Sequence, residues 1–564
     1  MKKNNKNLTL DSKIVGPLPF INKFIDRLNL EDILNRYIPS KKNQKLSNAA
    51  AILIFARNIL IERKPLYGLS EWIARFDEHL IGLKNAKPAI LNDDRVGRSL
   101  NHLFDADRAT LLTEIVLKAI AEFNIDTSQL HNDSTTVTVY GEYKREKSIR
   151  KGKTSVALKH GHNKDYRPDL KQLLFTLTVS RDGAVPIHYK SFDGNTTDDK
   201  THIYIWESLR RITGRSDFIY VADSKLFTKE QTMYITNEGG KFISVLPETR
   251  KECTWFKDWF RSHKIEWQEL IRRPDHRSPE SDEHIYWGFE SPMASNEGFR
   301  IIWILSSQKQ EQDNNTRSRK IEKTIEELAC LKDRVGKYNL KSKEQISEAV
   351  LKTFENNRSG SWFDWKMVKK ETEIYKQKGK GRPGKNTKFV RVVNESWTFE
   401  AMPNGLKIQE DAEMDGIFPI VTNIDQKELS MKEILKKYKY QPYIEKRHQQ
   451  FKSVLEAAPV YLKTPHRIEA LMFVYFIALL LNALIEREIR LSMKKNGIKE
   501  LPLYPEERNC EYPTTDRIIS IFSNQRRHIL KDENIIVKYF FDSLSNLQKH
   551  ILELLAIDTK YYQG

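Results

Sequence analysis

The sequence contains few cysteines, no secretory signal and no long apolar run. Its three cysteines (Cys253, Cys330 and Cys510) lie far apart without a Cys-x-x-Cys pair, which argues against both a disulfide framework and a cysteine-ligated zinc site. The basic first residues lead into no apolar segment, so we predict no signal peptide. The longest nearly apolar run, residues 470–481, is shorter than the ~18 residues that a membrane span needs. We therefore expect a soluble, intracellular protein with no membrane partner.

An excess of positive charge is the main feature of the composition. The 564 residues include 94 Lys and Arg against 76 Asp and Glu, a formal net charge of +18. Such an excess favours a polyanionic partner, and nucleic acid is the commonest one. With 39% hydrophobic and 10% aromatic residues the chain can bury cores, and its length predicts several domains. This composition excludes a wholly disordered or collagen-like protein.

Residues 1–125 are predicted to form a helical domain. Ser47 can cap a helix that begins at Asn48, because its hydroxyl can accept an unpaired amide of the first turn. Hydrophobic residues at helical spacing predict another helix over 108–123. Three basic side chains between these helices fall on one helix face: Arg95, Arg98 and His102. This face is typical of either a DNA-reading surface or a solvated helix surface, and both interpretations stay open.

Residues 126–249 have the alternation of an α/β domain. Short β-branched or aromatic runs bounded by Gly, Asp and Pro predict five strands, at 129–140, 173–180, 185–189, 218–222 and 241–246. A helical segment at 201–211 separates the third strand from the fourth. Three consecutive strands, a helix and a further strand predict a mixed sheet.

Residues 250–410 are predicted to be an inserted, partly β domain. Eight of the ten tryptophans lie there, together with strand-like runs at 299–305 and 388–393 and a charged helix from about 317 to 337. Residues 376–388 carry six positive charges, three glycines and no acidic residue. Such a segment cannot pack a core, so we expect an exposed loop.

Residues 411–495 are predicted to form the second part of the α/β core that begins at residues 126–249. A helical region is predicted over 496–564. The run 416–423 predicts a strand that belongs to the same α/β core as the earlier strands. A long helix from 466 to about 493 is hydrophobic all round. This pattern predicts central burial rather than a membrane span.

Three acidic residues at predicted strand or helix positions are candidates for metal binding. Phosphodiester chemistry is commonly done by two Mg²⁺ ions ~4 Å apart, held by a few carboxylates from separate elements. Asp133 lies within a β-branched run, Asp223 directly follows the strand 218–222, and Glu445 lies on a helix that starts near Pro442. Taken alone, Asp133 is typical of a turn, Asp223 of a helix cap and Glu445 of a surface ion pair.

Helix geometry adds Lys452 to this set. At the spacing of an α-helix, Ile444, Phe451 and Leu455 form one buried stripe. Glu445 and Lys452 are seven residues apart and therefore within ~20° of each other around the axis. They are predicted to lie along one edge of the stripe and to point together at a phosphate and its metal.

These segments together resemble the DDE insertion-sequence transposases, and more narrowly the branch with a Tyr-Arg-Glu-Lys signature. In this signature two residues separate Tyr from Arg, three separate Arg from Glu, and six separate Glu from Lys. Tyr438, Glu445 and Lys452 match it in register, whereas Gln441 occupies the arginine position. Further family-like stretches cover nearly the whole chain: GPLPFINKFIDRL at Gly16, GHNKDYRPDLKQ at Gly161, GNTTDDKTH at Gly194, VADSKL at Val221, DGIFPIVTN at Asp415 and LPLYPEER at Leu501.

The resemblance implies an α/β fold with an RNase H-like mixed-sheet catalytic core, a β-rich insertion before the last acid and an N-terminal helical domain that binds DNA ends. It implies Asp133, Asp223 and Glu445 as the catalytic and metal-binding residues. They would hold two Mg²⁺ ions, with Mn²⁺ as a substitute, and no other cofactor is implied.

The resemblance also implies DNA contacts near the scissile phosphate. Tyr438 and Lys452 would make such contacts. Gln441 would lie at the same DNA end, but it lacks the bidentate, permanently charged fork that arginine offers a phosphate.

The basic loop at 376–388 has a Gly-Arg-Pro centre that resembles the core of minor-groove hooks, whose arginine enters narrow A·T-rich grooves. Arg382 would be that arginine, and Lys380 and Lys385 would neutralise phosphates on either side. The alternative is a solvated basic loop without a DNA contact.

Other acids are assigned to structural roles. Asp198 and Asp199 are adjacent, so they do not converge on one point, and we predict that they cap a helix or support the metal ligands. Three further acids flank the predicted strand 416–423 and are predicted to be turn residues: Asp411, Asp415 and Asp425.

The resemblance implies a DNA transposase that cleaves double-stranded DNA at terminal inverted repeats and transfers the 3′-OH ends into target DNA. Pairing of two ends favours a homodimer, in the cytoplasm of a prokaryote and associated with its nucleoid. Two alternatives stay open: a catalytically inactive, transposase-derived DNA-binding protein, and a non-transposing RNase H-like nuclease. The three acids argue against the former, and the basic insertion and N-terminal helices argue against the latter.

Overall fold

The computed structural model describes residues 8–84, 86–274, 283–337, 340–458, 460–532 and 535–562. The chain divides into two structural units, and each is described here by itself. The first unit comprises Met1–Pro247, Thr422–Leu429 and Glu433–Gly564, and the second comprises Glu248–Val421 and Ser430–Lys432.

The first unit begins with a strand, β1 (Leu8–Ile14), and continues as helices. These helices are α1 (Leu18–Arg27), α2 (Leu30–Tyr37), α3 (Asn48–Ile61), α4 (Leu69–Ala74), α5 (Glu78–Ile81), α6 (Asp93–Asp105) and α7 (Arg108–Phe123). The predicted cap of α3 is confirmed, because the Ser47 hydroxyl accepts a hydrogen bond from the Ala50 amide. The predicted helix over 108–123 coincides with α7.

Arg95, on α6, is part of the protein interior. Its guanidinium donates hydrogen bonds to the side chains of Asn48 and Ser99 and to the carbonyl of Leu46. Neither a DNA-reading nor a solvated role is therefore correct for Arg95. The burial of this guanidinium is compensated in part, because three polar groups accept hydrogen bonds from its two terminal nitrogens.

A mixed sheet follows in the same unit. Its elements in chain order are β2 (Gln129–Val139), the short strands β3 (Ile149–Arg150) and β4 (Lys153–Thr154), β5 (Lys171–Ser180), β6 (Pro186–Phe192), α8 (His202–Thr213), β7 (Ile219–Val221), α9 (Lys229–Asn237) and β8 (Lys241–Val245). The strand order is β6-β5-β2-β7-β8, and β3 pairs only with β4. β2, β5 and β6 are antiparallel, whereas β7 is parallel to β2 and β8 is parallel to β7. The predicted mixed α/β architecture is confirmed.

The second unit contains both strands and helices. Its elements in chain order are α10 (Lys251–Ser262), β9 (Gln268–Pro274), β10 (Glu283–Glu290), β11 (Arg300–Ser306), α11 (Ser307–Arg334), α12 (Lys343–Asn357), β12 (Phe363–Gln377), β13 (Phe389–Pro403), α13 (Gly405–Ala412) and β14 (Ile417–Thr422). β14, β11, β10 and β9 are neighbours in that order, and β12 and β13 form a separate hairpin.

The core of the second unit is an apolar cluster shared by α11, α12 and the base of the hairpin. Its buried members are Leu328, Leu331, Leu340, Ile346, Val350, Phe354, Trp362, Phe363 and Phe399. Residues 378–388 connect β12 to β13 and are exposed apart from Thr387, as the sequence predicts.

The remaining elements return to the first unit. They are α14 (Met431–Tyr438), α15 (Gln441–Gln449), a π-helical turn (Gln450–Val454), α16 (Pro465–Lys495), α17 (Thr515–Phe522), β15 (Arg526–Asp532), β16 (Ile535–Phe541) and α18 (Asn546–Leu554). The purely helical prediction for residues 496–564 is wrong, because β15 pairs with both β16 and the N-terminal strand β1. That sheet depends on pairing between the two ends of the sequence, which a local pattern does not contain.

Helix α16 forms the centre of the first unit and packs against α3, α6 and β6. It contains an 18-residue stretch with a mean hydropathy of 2.3, which is long and apolar enough for a membrane span, but 94% of that stretch is buried inside the protein. The sequence estimate of its apolar length was therefore too short. Its predicted central burial is confirmed.

Candidate active site

Two of the predicted acids are brought together by adjacent parallel strands, Asp133 within β2 and Asp223 just beyond the end of β7. The parallel register of β2 and β7 pairs His131 with Val221. Asp133 and Asp223 each lie two residues further along, and neighbouring strands are about 4.8 Å apart. The carboxylate of Asp223 caps the turn that follows β7, because it accepts a hydrogen bond from the Lys225 amide at 3.1 Å. The register of the sheet thus brings these carboxylates together.

The third acid reaches the same place from a helix. Glu445 lies on α15, which packs against β2. Partial burial raises the pKa of Glu445, and the nearby carboxylate of Asp133 raises it further. Burial followed by the charge on Asp133 raises the pKa of Asp223 to about 6. Asp133 therefore interacts electrostatically with both of the other acids.

Tyr438, at the end of α14, belongs to the same group. Burial raises its pKa to about 12, and the carboxylates of Asp223 and Glu445 add to the shift. Its hydroxyl therefore stays protonated at neutral pH and remains a hydrogen-bond donor. Four residues identified in the sequence thus share one site in the first unit.

The three acids interact electrostatically, but they do not form a ready-made metal-binding cluster among the described residues. Within the described ranges, no three His, Cys, Asp or Glu side chains form a group that could hold a metal ion by themselves. Mg²⁺ commonly takes only one or two carboxylates and completes its octahedron with waters and phosphate oxygens. Burial and like charge raise the pKa of each acid, and a bound cation would relieve that repulsion.

Two further charged residues lie at this site: Asp198, which the sequence analysis predicts to cap a helix or support the metal ligands, and Lys164, which it did not single out. Asp198 adds to the raised pKa values of both Asp133 and Asp223. It forms an ion pair with Lys164 at 3.4 Å. The Lys164 ammonium also donates to the carbonyl and hydroxyl oxygens of Ser134, at 2.7 and 2.9 Å. The only sequence signal was that both lie in stretches similar to the transposases.

His448 also lies at this site, and the sequence analysis did not single it out. It is buried, and its Nε2 lies 3.6 Å from Oδ2 of Asp133. Burial lowers its pKa to about 3, so its ring is neutral at physiological pH. Its spacing of three residues from Glu445, about one helical turn, was the available signal.

Gln441 does not lie on the surface as a DNA-contacting residue would. It is buried, its Oε1 lies 2.9 Å from Nδ1 of His131, and its amide donates to the Asn132 carbonyl at 3.2 Å. The polar atoms of Gln441 are therefore occupied inside the protein in this conformation, and its DNA contact stays a prediction. A neutral amide can be satisfied by two neutral partners in the interior, whereas an arginine here would need a buried counter-charge.

Lys452 is not paired with Glu445 along one helix edge. The chain leaves α-helical geometry after Gln449 and forms the π-helical turn, so the spacing of 100° per residue does not hold up to Lys452. The ammonium instead contacts Asp165 at 2.5 Å. The buried stripe of Ile444, Phe451 and Leu455 is nevertheless confirmed.

The three basic loop residues belong to the second unit. Lys380, Arg382 and Lys385 are exposed in the connection between β12 and β13. Their DNA contacts stay a prediction.

The acids around β14 have structural partners. Asp425 is in a turn and accepts from the Lys427 amide at 2.8 Å, as predicted. Asp415 lies in the turn before β14, as predicted, and its buried carboxylate also forms a charged pair with Arg317. Asp411 accepts from the Trp362 indole at 3.1 Å.

Comparison with known proteins gives limited similarity. A family model described as a domain of unknown function (DUF4277) matches residues 10–117. No curated protein matches the chain. Among solved structures, the chain is similar to piggyBac transposase in a cryo-EM synaptic complex with hairpin DNA, with a TM-score of 0.25 and 10% identity over 52% of this chain and 59% of that one. The chain thus spans about three-fifths of that transposase, and this weak likeness does not establish a shared activity.

Proposed function

We propose that this protein is a DNA transposase of the DDE type, which cleaves double-stranded DNA at terminal inverted repeats and joins the 3′-OH ends to target DNA. The observation that carries the proposal is the position of Asp133, whose carboxylate acts on both Asp223 and Glu445. The mixed sheet, with three antiparallel strands followed by two parallel ones, supports an RNase H-like core. The net charge of +18 supports a DNA substrate.

The metal ligands in this proposal are Asp133 with Asp223 for one ion and Asp133 with Glu445 for the other. Mg²⁺, or Mn²⁺ in its place, would activate the attacking oxygen and stabilise the leaving oxygen when bound. Tyr438 stays protonated and can donate a hydrogen bond to a phosphate oxygen near Asp223 and Glu445. Lys164 supplies a positive charge beside Asp198.

Strand cleavage and strand transfer are both in-line displacements at phosphorus. In the first, a water oxygen forms the new bond to phosphorus and the 3′ oxygen leaves as a hydroxyl. In the second, that hydroxyl attacks a phosphate of the target DNA. One set of carboxylates therefore serves both steps, and two ends held together would require a homodimer.

The test is cleavage of a supercoiled plasmid that carries the DNA flanking this gene, with the full chain and Mg²⁺. We expect Asp133→Asn, Asp223→Asn and Glu445→Gln each to lower cleavage by about a thousandfold or more, because each removes a charge that holds the metal. Binding of the same DNA should persist. Mg²⁺ should also raise the melting temperature of the wild type but not of Asp133→Asn, a readout independent of activity.

Asp425→Asn is the matched control, because this acid lies in an exposed turn of the same unit. It should cleave like the wild type. Wild-type cleavage by any of the three site variants would reject the assignment. Cleavage without joining would favour a non-transposing nuclease, and binding without cleavage would favour an inactive DNA-binding protein.

A further inference from the structure

Two tyrosine rings are stacked on the surface of the first unit. Tyr140 directly follows β2, and its ring lies parallel to that of Tyr461, with a centroid distance of 5.2 Å and an interplanar angle of 4°. Tyr461 is 73% exposed and Tyr140 is 37% exposed. The pair therefore presents aromatic surface to solvent rather than filling a core.

The backbone holds both rings in place. The Tyr140 amide donates to the Val460 carbonyl at 2.9 Å, and the Val460 amide donates to the Thr138 carbonyl at 3.1 Å. These bonds tie the segment that carries Tyr461 to the end of β2. The two rings are thus positioned before any ligand binds, which lowers the entropic cost of binding.

A cation lies beside the rings. The guanidinium of Arg167 donates to the Tyr140 hydroxyl at 3.1 Å and is itself held by both carboxylate oxygens of Asp169. Its neighbour Tyr166 is 93% exposed. Residues 141–171 contain ten Lys and Arg against four Asp and Glu. The surface therefore combines flat aromatic rings with positive charge.

This surface is connected to the candidate active site by a continuous series of contacts. Lys164 contacts Ser134, next to Asp133, and Asp165 contacts Lys452. The same short segment then reaches Arg167 and Tyr140. Tyr140 is seven residues from Asp133 along an extended strand, a distance of about 23 Å.

We infer that Tyr140, Tyr461 and Arg167 form a platform on which an unpaired DNA base stacks, about 23 Å along β2 from Asp133. The inference rests on the proposed function, because that function supplies the DNA. Single strands are recognised by aromatic stacking within a positively charged groove, and an unpaired base offers the free face that a duplex does not. These three residues are called the platform below.

The test measures binding of a fluorescein-labelled 16-nucleotide oligothymidine and of a 16-base-pair duplex to the full chain in EDTA. We expect Tyr461→Ala to weaken binding of the single strand by about tenfold, because stacking of one base is lost. Tyr461→Phe keeps the ring and should bind within about twofold of the wild type. Duplex binding should not change in either variant.

Tyr67→Ala is the matched control, since Tyr67 is 85% exposed in the turn before α4 and lies outside the platform. It should bind both DNAs like the wild type. Unchanged single-strand binding by Tyr461→Ala, an equal loss in Tyr461→Phe, or an equal loss of duplex binding would each overturn the inference. Asp133→Asn should bind oligothymidine normally, so failure of the platform is distinguishable from failure of the catalytic assignment.

Discussion

At the scale of single residues, buried His202 shows how strongly the interior of the first unit disfavours a charged side chain. His202 follows the Asp198–Lys200 turn and is buried, with its Nδ1 at 2.9 Å from the Tyr220 hydroxyl. Burial lowers its pKa to about 4, although Asp198 and Asp199 oppose the shift. The turn that carries Asp198 into the candidate site is therefore anchored by a neutral imidazole.

The depressed pKa of His202 predicts a loss of stability in acid. In the unfolded chain the His202 imidazole binds a proton below about pH 6.5, whereas in the folded protein it does so only near pH 4. Stability contributed by the neutral ring above pH 6.5 is therefore lost as the pH falls towards 4. When the pH is lowered from 8 to 4.5, the free energy of unfolding of the wild type should fall by about 2.5 kcal/mol more than that of His202→Asn, because the variant has no titrating ring at this position.

Melting temperatures of the two proteins at both pH values measure this difference. The asparagine amide retains a polar atom near Nδ1, so the bond to Tyr220 can persist at neutral pH. An equal decrease in the melting temperatures of the two proteins on acidification would contradict the assignment of a neutral His202.

At the scale of the elements, one buried arginine connects helix α15 to two neighbouring parts of the first unit. Arg447 donates to the carbonyls of Gly183 and Ala184, in the turn between β5 and β6, at 2.9 Å each. Its third contact is a 2.7 Å ion pair with Glu486 of α16, and both side chains are almost fully buried. Because Glu445 lies on α15, this arginine positions the third acid indirectly.

The loss of stability on removing this buried pair should depend on whether one partner or both are replaced. Arg447→Met should lower stability by about 3 kcal/mol, because it leaves the Glu486 carboxylate buried without its main counter-charge. Arg447→Met combined with Glu486→Met removes both charges and should recover much of that loss. Thermal unfolding of the wild type, both single variants and the double variant measures the coupling, and additive losses would show that the pair is not coupled.

For the whole molecule, the net charge and the exposed basic loop predict salt-dependent DNA binding. Each phosphate contact that a lysine or arginine makes contributes about −0.9 to the slope of log K against log salt concentration. Replacing Lys380, Arg382 and Lys385 together by Gln should therefore reduce the slope by about 2 to 3. Fluorescence anisotropy with an A·T-rich duplex at several salt concentrations measures the slope.

A matched control uses three lysines of the same unit that already have acidic partners. Lys323, Lys366 and Lys407 contact Glu327, Glu400 and Asp364, respectively. Replacing these lysines by Gln should leave the slope unchanged. If the loop variant behaves like this control, the loop is a solvated surface and does not contact DNA.

Strands and helices with strong local patterns were predictable from the sequence, whereas long-range partners were not. The β-branched run of β2 and the spacing of α7 were sufficient to predict both elements. The pairing of β1 with β15 joins residues more than 500 positions apart and left no local signal. The burial of Gln441 was not predictable for the same reason, since its partners His131 and Asn132 lie on a strand that is distant in the sequence.

The sequence alone determined the alternation of elements, the positive charge and the choice of three candidate acids, because propensity, charge and motif spacing are properties of local residues. The tertiary structure decided which acids lie together. The parallel register of β2 and β7 places Asp133 beside Asp223, and packing of α15 adds Glu445. It also directed Lys452 to Asp165 and made Asp198 and His448 neighbours of the site. These outcomes depend on strand pairing and burial between distant segments, which only folding of the whole chain supplies.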